Sequence, residues 1–447
     1  MNLRARVSSN ITAVKSSVAY LENRNLFERP LSIAIIALFI SAPFHAAAQN
    51  SYKFSFGSGK PEAGYTQVHP DMEYSSERGF GFEQGSRVRT GDGFVVGDGT
   101  YFFSIAVPEG NYRVQIMFGD PDSESVATVK AELRRLMIEE VKVPAGRTAS
   151  RIFTVNVKIP AISTGGQVRL KGQREAVQEA FNWDGKLNLQ FSNSHPALRR
   201  IEIEKVNIPT IFILGDSTST DQMADPYSSW GQSITAFFKP EIAVANHGES
   251  GESMAAAVAA RRTDKIYDSI KPGDFLLIQF GHNDMKSNAP NALQIFEDGL
   301  TKAVEEARKR KATPVLITPV SRRTFRDGKI TNSFVTRNND DYLAAVKRVA
   351  RQTLTPLVDL NAMSARLYET FGTERAPLLF AHPAGLEVDG THHNDFGSYE
   401  IAKCVLQGIR DNNLAIAKFI VNDFKGFDPS NPDKIEEFKL PRDMAVK

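Results

Sequence analysis

The sequence has little cysteine, little net charge and no apolar run long enough to span a membrane. Cys404 is the only cysteine among 447 residues, so the chain cannot form an internal disulfide. It lies in an apolar, helix-like segment at 401–406, which predicts a buried and unreactive thiol. The formal net charge is only +2, so electrostatics give no reason to expect nucleic acid or an anionic membrane as a partner.

The most strongly apolar run, residues 31–40, follows a basic stretch and precedes Ala46-Ala47-Ala48-Gln49. About ten apolar residues are short of the ~20 that a spanning helix needs, so the pattern predicts a cleaved signal peptide over 1–48 rather than an anchor. We therefore expect a secreted or periplasmic protein with no membrane partner after cleavage. Residues 1–48 carry five basic and two acidic side chains, so the remainder has a net charge of −1.

Two segments with different patterns of apolar residues follow. Over 49–206, apolar residues alternate with period two, as at Tyr101, Phe103 and Ile105, between frequent Gly and Pro turns. This pattern predicts an antiparallel β-sandwich of the jelly-roll type. Residues 126–143 fit either a strand pair or a short helix.

Over 207–423, apolar runs of strand length alternate with helical patterns, which predicts an α/β domain with a parallel sheet covered on both faces. Residues 424–447 carry three prolines among charges and are expected to be extended and packed across the other domain. The strands are predicted at 211–214, 242–246, 275–280, 314–319 and 356–359.

Polar, glycine-containing segments follow the first three of these strands, at 215–217, 246–251 and 281–284. Asp389 and His392 lie on a loop before the last predicted helix, at about 397–407. Ligands of parallel α/β sheets bind outside the carboxyl ends of the strands. These segments are therefore expected to converge.

Ser217 is the candidate nucleophile, His392 the candidate general base and Asp389 the acid that orients it. A serine hydroxyl needs an adjacent base that a third group holds in place. The chain order Ser, Asp, His occurs on unrelated folds and does not by itself identify one. Gly-Asp-Ser alone fits a helix N-cap equally well.

The backbone N–H groups of Ser217 and Gly251 and the side-chain amide of Asn283 are candidate oxyanion donors. One such donor is typically worth ~3–4 kcal/mol of transition-state stabilisation. Taken singly, Gly251 also fits an ordinary turn glycine, and Asn283 fits a side chain that braces its own loop.

His282 and His393 are expected to line the substrate pocket, and His247 to brace a loop or line the pocket. An alternative for the last loop is a metal site formed by Asp389, His392, His393 and Asp395, although zinc sites usually show a clearer ligand set. Tyr227 and Trp230 are expected to open a helix that packs into the core.

The four segments Gly215-Asp216-Ser217, Gly251, Gly281-His282-Asn283-Asp284 and Asp389-Gly390-Thr391-His392 resemble the blocks of the SGNH (GDSL-like) hydrolase superfamily. Within residues 209–422, the segment around Ser217-Thr218 and the segments at 246–253, 318–323 and 391–392 are similar to rhamnogalacturonan acetylesterases. The N-terminal sandwich resembles a galactose-binding-like domain.

The resemblance implies a three-layer α/β/α fold and hydrolysis of acetyl esters on pectic polysaccharide, with no metal or cofactor. It also implies that Ser217 attacks the acetyl carbonyl, that His392 transfers the proton, and that Ser217, Gly251 and Asn283 hold the oxyanion. The expected partner is an acetylated plant cell-wall polysaccharide. Alternatives are an esterase for xylan or another acetylated glycan, and a carbohydrate-binding protein on an inactive hydrolase scaffold.

Overall fold

The computed structural model describes residues 51–441, which belong to one compact unit. The predicted signal peptide at 1–48 and the last six residues lie outside the described residues. Along the described chain, sheet structure gives way to alternating strands and helices between Val206 and Thr210, where the pattern of apolar residues changes. Among these residues, no helix combines the length and apolar character needed to cross a membrane.

The N-terminal part is a sandwich of two sheets, as predicted. One sheet has the order β10-β7-β12-β1-β2, with β5 on β12 and β4 on β5; the other has the order β3-β6-β11-β8-β9. Pairing is antiparallel except between β1 and β2, which run parallel. The strands of this part are β1 (Ser51–Phe56), β2 (Thr66–Val68), β3 (Phe80–Phe82), β4 (Val88–Gly91), β5 (Phe94–Gly97), β6 (Tyr101–Ala106), β7 (Gly110–Phe118), β8 (Ser125–Ala131), β9 (Arg135–Val143), β10 (Ala149–Val157), β11 (Lys186–His195) and β12 (Leu198–Val206).

Aromatic side chains fill the space between the two sheets, because alternate residues of each strand face inward. The ring of Phe103 on β6 lies within 5.4 Å of the rings of Phe54, Phe56 and Phe82. All four side chains are buried. Burial of this kind stabilises the sandwich by roughly 1.5–3 kcal/mol for each large apolar side chain.

The ambiguous segment at 126–143 forms a strand pair. β8 and β9 are antiparallel and are joined at Glu132 and Arg134, both with positive φ (53° and 62°). Arg134 and Arg135 leave this hairpin toward the second half of the chain, where Arg135 Nε donates to Asp221 Oδ2 at 2.7 Å. Arg134 donates to the carbonyl oxygen of Tyr227 at 3.0 Å, so the hairpin holds the segment that follows Ser217.

The second half is built on five parallel strands in the order β14-β13-β15-β16-β19, which is the flavodoxin-like order 2-1-3-4-5. Each lies at its predicted place, and β13, β14 and β15 are buried along their whole length. Strand order reverses at β13, so the crevice at its carboxyl end is the expected ligand site. The strands of this half are β13 (Thr210–Gly215), β14 (Ala243–Asn246), β15 (Phe275–Gln279), β16 (Thr313–Ile317), β17 (Phe325–Arg326), β18 (Lys329–Ile330) and β19 (Leu357–Val358), with β17 and β18 forming a separate hairpin.

Helices cover both faces of this sheet, giving the predicted three layers. Side-chain caps fix several of their starts, such as Asn394, which accepts from the N–H of Gly397. The predicted helix at Trp230 is only one turn long before it tightens to 3-10 geometry over Ile234–Phe237. The helices are α1 (Trp230–Ser233), α2 (Met254–Ala259), α3 (Arg262–Ser269), α4 (Ala292–Lys309), α5 (Tyr342–Gln352), α6 (Leu360–Arg375) and α7 (Asp395–Asp411).

The C-terminal tail packs mainly on the α/β half. Phe438 contacts the rings of Phe396 and Tyr399 on α7, each at 5.3 Å. A short 3-10 turn over Ile435–Glu437 interrupts the predicted extended chain. Beyond it, residues 439–441 line a surface depression together with Thr100 of the sandwich, so the tail reaches both halves.

Candidate active site

Ser217 lies directly beyond the carboxyl end of β13. Asp216 shapes this turn, because its Oδ1 accepts from the N–H of Thr218 at 3.0 Å and from its hydroxyl at 2.8 Å. Ser217 caps no helix: the next helix, α1, starts at Trp230 and has Ser229 as its N-cap. The N-cap alternative for Ser217 is therefore wrong, and its hydroxyl is available for other contacts.

Ser217, His392 and Asp389 form one hydrogen-bonded chain. The Oγ of Ser217 is 2.8 Å from Nε2 of His392, and Nδ1 of His392 is 2.8 Å from Oδ2 of Asp389. The backbone N–H groups of Thr391 and His392 donate to Oδ1 of Asp389 at 2.7 and 3.0 Å. Burial acts to raise the pKa of Asp389, but these hydrogen bonds and the imidazole hold it well below its ordinary value.

The ionised carboxylate fixes the tautomer of His392. A carboxylate only accepts hydrogen bonds, so the proton of a neutral imidazole sits on Nδ1, facing Asp389. Nε2 is then left to accept from the hydroxyl of Ser217. This is the arrangement in which a serine can be deprotonated as it attacks.

Two glycines bring backbone close to the nucleophile. A Cβ on Gly215 would lie 2.7 Å from the carbonyl oxygen of Gln279 on β15, so a side chain there would push the two strands apart. Gly251 has φ = 74°, which L-residues other than glycine rarely adopt. The nearest atom to a Cβ there would be Nζ of Lys171 at 4.0 Å, so its backbone borders open space.

Asn283 lies after β15, with its amide against the backbone of Glu252, the residue that follows Gly251. Its Nδ2 donates to the carbonyl oxygen of Glu252 at 3.0 Å, and its Oδ1 accepts from Nζ of Lys286 at 2.8 Å. An amide carries two N–H groups, so the second is available to a ligand. One contact needs the amide nitrogen and the other the amide oxygen, so together they determine which way the side-chain amide is turned.

These groups line one open cleft of about 530 Å³. A cleft of this size lies within the range of roughly 300–1,000 Å³ that is usual for small-molecule sites. Ser217, Gly251, Asn283, Asp389 and His392 all border it, so the segments after the first three strands converge with the last loop as expected. The remaining lining residues are Arg174, Gln178, Gln222, Met223, Tyr227, Ser250, His282, Lys286, Arg322 and Thr391.

His282 borders the cleft but is almost fully buried. Its Nδ1 is 3.1 Å from Oδ2 of Asp216, and its ring meets Phe334 edge-on. Burial acts to raise the pKa of Asp216, but His282 and the turn's hydrogen bonds lower it. His282 therefore braces the turn that presents Ser217, in addition to forming part of the cleft wall.

The prediction that His393 lines the pocket is wrong. Its side chain is buried, with Nε2 2.6 Å from the hydroxyl of Tyr368 and the ring stacked on Phe380. Burial lowers the pKa of His393 to about 3, so it is neutral. Because consecutive residues of extended chain face opposite sides, His392 facing the cleft turns His393 into the core.

The alternative metal site on the last loop does not form. Besides the turned-away His393, Asp395 lies 3.6 Å from Nη2 of Arg134. Among the described residues no group of three or more His, Cys, Asp or Glu side chains is placed to hold a metal ion. Cys404 is fully buried, and burial raises the pKa of its thiol well above the ordinary value.

Sequence reasoning missed several residues of the cleft. Tyr227, expected in the core, has its ring 5.9 Å from that of His392. Arg174 and Gln178 come from the sandwich half, in the long connection between β10 and β11. That connection was the available signal, since irregular loops longer than about 12–15 residues are commonly functional.

A serine, a histidine and an aspartate joined in this order at the carboxyl edge of a flavodoxin-like sheet define a serine hydrolase. The GDSL-like lipase/acylhydrolase family matches residues 213–397, and the β-agarase/YXIM esterase-like, galactose-binding domain-like family matches residues 52–137. The chain belongs to the GDSL-like lipase/acylhydrolase family and is a serine esterase.

Similar proteins cover either about half or most of the chain. The rhamnogalacturonan acetylesterase RhgT of Bacillus subtilis (strain 168) is 34% identical over 47% of this chain and 94% of its own length. The uncharacterized esterase YxiM of the same organism is 25% identical over 83% of this chain and 93% of its own length. The crystal structure of YxiM is 22% identical, covers 82% of this chain and 99% of its own, and has a TM-score of 0.44.

Proposed function

We propose that the protein is a carbohydrate esterase that removes acetyl groups from rhamnogalacturonan through an acyl-enzyme intermediate. The observation that carries the chemistry is the chain of hydrogen bonds from Ser217 through His392 to Asp389, each 2.8 Å long, beside an open cleft. The substrate is supported by the similarity to a rhamnogalacturonan acetylesterase over nearly its whole length.

In the first half-reaction, Oγ of Ser217 attacks the acetyl carbonyl while Nε2 of His392 takes the hydroxyl proton. The carbonyl oxygen becomes an oxyanion, which the N–H groups of Ser217 and Gly251 and Nδ2 of Asn283 stabilise. The ester C–O bond then breaks, and His392 returns its proton to the departing sugar oxygen. The sugar leaves with a free hydroxyl, and the acetyl group stays on Ser217.

In the second half-reaction, water attacks the acetyl-serine and gives its proton to His392. The same donors hold the second oxyanion. The bond to Ser217 breaks, His392 reprotonates Oγ, and acetate leaves. Asp389 stabilises the imidazolium in both steps without itself accepting the proton.

The side chains that line the cleft favour an ester whose alcohol part is polar. Among the described residues that border it, Met223 is the one with a purely aliphatic or thioether side chain, and the others are glycine, polar, aromatic with a hydroxyl, or charged. Sugars are bound by such hydrogen-bonding side chains, whereas long acyl chains need an apolar surface.

The proposal is tested by acetate release from a panel of polymers, using the whole protein. We expect release from acetylated rhamnogalacturonan at a higher kcat/KM than from acetylated xylan, with 4-nitrophenyl acetate as a substrate that reports the chemistry alone. Faster release from xylan would overturn the substrate assignment and leave the esterase mechanism standing. Absence of turnover on all three would overturn both.

Activity on 4-nitrophenyl acetate should fall as the pH is lowered from 8 to 5, because a histidine base must be unprotonated to take the proton of Ser217. Asp389 is not the titrating group: burial acts to raise its pKa, but its hydrogen bonds hold it well below the ordinary value. His393 is excluded because burial lowers its pKa to about 3. The measurement is kcat/KM at constant ionic strength, and a flat profile would contradict a histidine base.

A further inference from the structure

The sandwich supplies part of the wall of the catalytic cleft. Its connection between β10 and β11 contains a helical turn over Arg174–Gln178 and a 3-10 turn over Ala180–Asn182. Arg174 and Gln178, the first and last residues of the helical turn, border the same cleft as Ser217 and His392. The cleft is therefore completed by a part of the chain outside the α/β half.

Buried contacts hold this segment in place. Nη2 of Arg262 on α3 donates to Oε2 of Glu175 at 2.6 Å, and both side chains are about 1% exposed. The guanidinium of Arg262 also lies over the ring of Trp183. Nζ of Lys171 donates to the carbonyl oxygen of Ser250, next to the oxyanion candidate Gly251. The segment is thus fixed relative to the reacting atoms.

Arg174 is anchored at one end of its guanidinium. Its Nε donates to Oε1 of Glu179 at 2.7 Å and lies 3.4 Å from Oε1 of Glu249. Within the described chain, its two Nη groups have no hydrogen-bond partner, and the side chain is 37% exposed. A guanidinium fixed at Nε with both Nη groups available is prepared for a planar, bidentate acceptor.

The charges around the cleft favour an anion. Arg174, Lys286 and Arg322 are three cationic side chains in the lining, and Asp389 is the single carboxylate there among the described residues. Asp389 is already engaged by His392. Nε of Arg322 is buried without a hydrogen-bond partner in the described chain, so a second guanidinium has unused donor capacity.

The two carboxyls behind Arg174 do not cancel this charge. Burial raises the pKa of Glu249 to about 8 and raises that of Glu179 as well, and neighbouring carboxylates add to the effect. Carboxyls with raised pKa values are harder to ionise, which reduces the negative charge behind Arg174. Together with Lys171, which lies 3.3 Å from Glu249, this leaves the guanidinium of Arg174 able to attract an anion from the cleft.

We propose that Arg174, with Gln178 beside it, binds the carboxylate of a uronic acid residue of the acetylated glycan, so that the sandwich determines specificity for an acidic glycan. The proposal rests on the proposed function for its acetylated substrate. Carboxylate recognition itself is independent of whether that glycan is deacetylated. A bidentate pair would form between both Nη groups and the two carboxylate oxygens.

The test measures inhibition of 4-nitrophenyl acetate hydrolysis by unacetylated galacturonate-containing oligosaccharides. We expect Arg174→Gln to weaken this inhibition by about 10- to 100-fold, as a charged hydrogen-bonded contact is lost. The uninhibited kcat/KM of each variant is measured alongside, so that inhibition constants are compared only between folded and active proteins. Arg174→Lys should give an intermediate inhibition constant, because it keeps the charge and loses the bidentate geometry.

The matched control is Arg151→Gln, which removes an exposed arginine of the sandwich outside the cleft and should leave inhibition unchanged. If Arg174→Gln folds poorly, the wild type decides: oligosaccharides whose carboxyls have been reduced to alcohols should lose the inhibition. Equal inhibition by both ligands, or unchanged inhibition in folded Arg174→Gln, overturns the proposal. If no acetate is released from acetylated rhamnogalacturonan but the oligosaccharides still inhibit hydrolysis of 4-nitrophenyl acetate, only the proposed function is overturned.

Discussion

Ser217→Ala should lower kcat on 4-nitrophenyl acetate by at least about 10³-fold, because the substitution removes the atom that forms the acyl-enzyme. The oxyanion donors and the cleft remain, so a small residual rate above that of water is expected. The fold should be little affected. In the described chain the Oγ of Ser217 has one hydrogen bond, to Nε2 of His392, and an alanine fills most of the same space.

The matched control is Ser250→Ala, which removes a second hydroxyl from the same cleft. Its hydroxyl accepts a long hydrogen bond of 3.4 Å from Gln222 and has no histidine beside it. This variant should keep kcat within about tenfold of the wild type. Intact-protein mass spectrometry after reaction with a trapping organophosphonate should show one adduct on wild type and Ser250→Ala, and none on Ser217→Ala. An adduct on Ser217→Ala, or a rate near that of the wild type, would contradict the assignment.

The reacting residues were predictable because each has a local determinant. Ser217 and Asn283 follow buried strands, and the carboxyl ends of parallel strands share one edge of a sheet. Asp389 reaches His392 because a spacing of three within a tight turn allows a hydrogen bond from the side chain and from the backbone N–H. The parallel sheet covered by helices followed from the alternation of apolar runs with helical segments.

The parts that were not predicted depend on contacts distant in sequence. Arg174 borders the cleft because Glu175 meets Arg262, a pairing across 87 residues that leaves no periodic signal. His393 was misplaced for a different reason: its sequence position beside His392 does not reveal that extended chain turns the two rings apart. The position of His393 in the chain placed it near the site, but the direction of its side chain depends on backbone geometry.

Arg262→Met should destabilise the protein by about 3–5 kcal/mol and also lower kcat, because Arg262 neutralises two buried carboxylates at once. Its Nη2 donates to Glu175 at 2.6 Å and its Nε to Glu252 at 2.8 Å, and all three side chains are at most 3% exposed. Removing the guanidinium leaves Glu175 and Glu252 buried without the cation that neutralises them. The backbone carbonyl of Glu252 accepts from Nδ2 of Asn283, so a shift of Glu252 moves an oxyanion donor.

The pH dependence separates this mechanism from simple loss of packing. Burial raises the pKa of Glu252, and Arg262 opposes that shift in the wild type. Without Arg262 the pKa of Glu252 in the folded state rises further. The loss of stability is then full above that pKa and disappears as the pH falls and Glu252 is protonated in both the folded and the unfolded protein. The difference in the free energy of unfolding between wild type and variant, measured in urea, should therefore shrink as the pH falls from 8 to 5.

Arg261→Met is the matched control. Arg261 precedes Arg262 and pairs with Asp264 in an exposed salt bridge, with side chains 35% and 48% exposed. Exposed pairs of this kind contribute less than about 1 kcal/mol, so the free energy of unfolding of the control should stay close to that of the wild type at every pH.

Replacing both carboxyls as well, in Glu175→Gln/Glu252→Gln/Arg262→Met, should recover part of the stability, since no charge is then left buried without its partner. If Arg262→Met loses stability equally at every pH and the triple variant does not recover it, the arginine acts through its bulk. The contact that links the sandwich to the oxyanion donors would then be the hydrogen bond from Lys171 to Ser250.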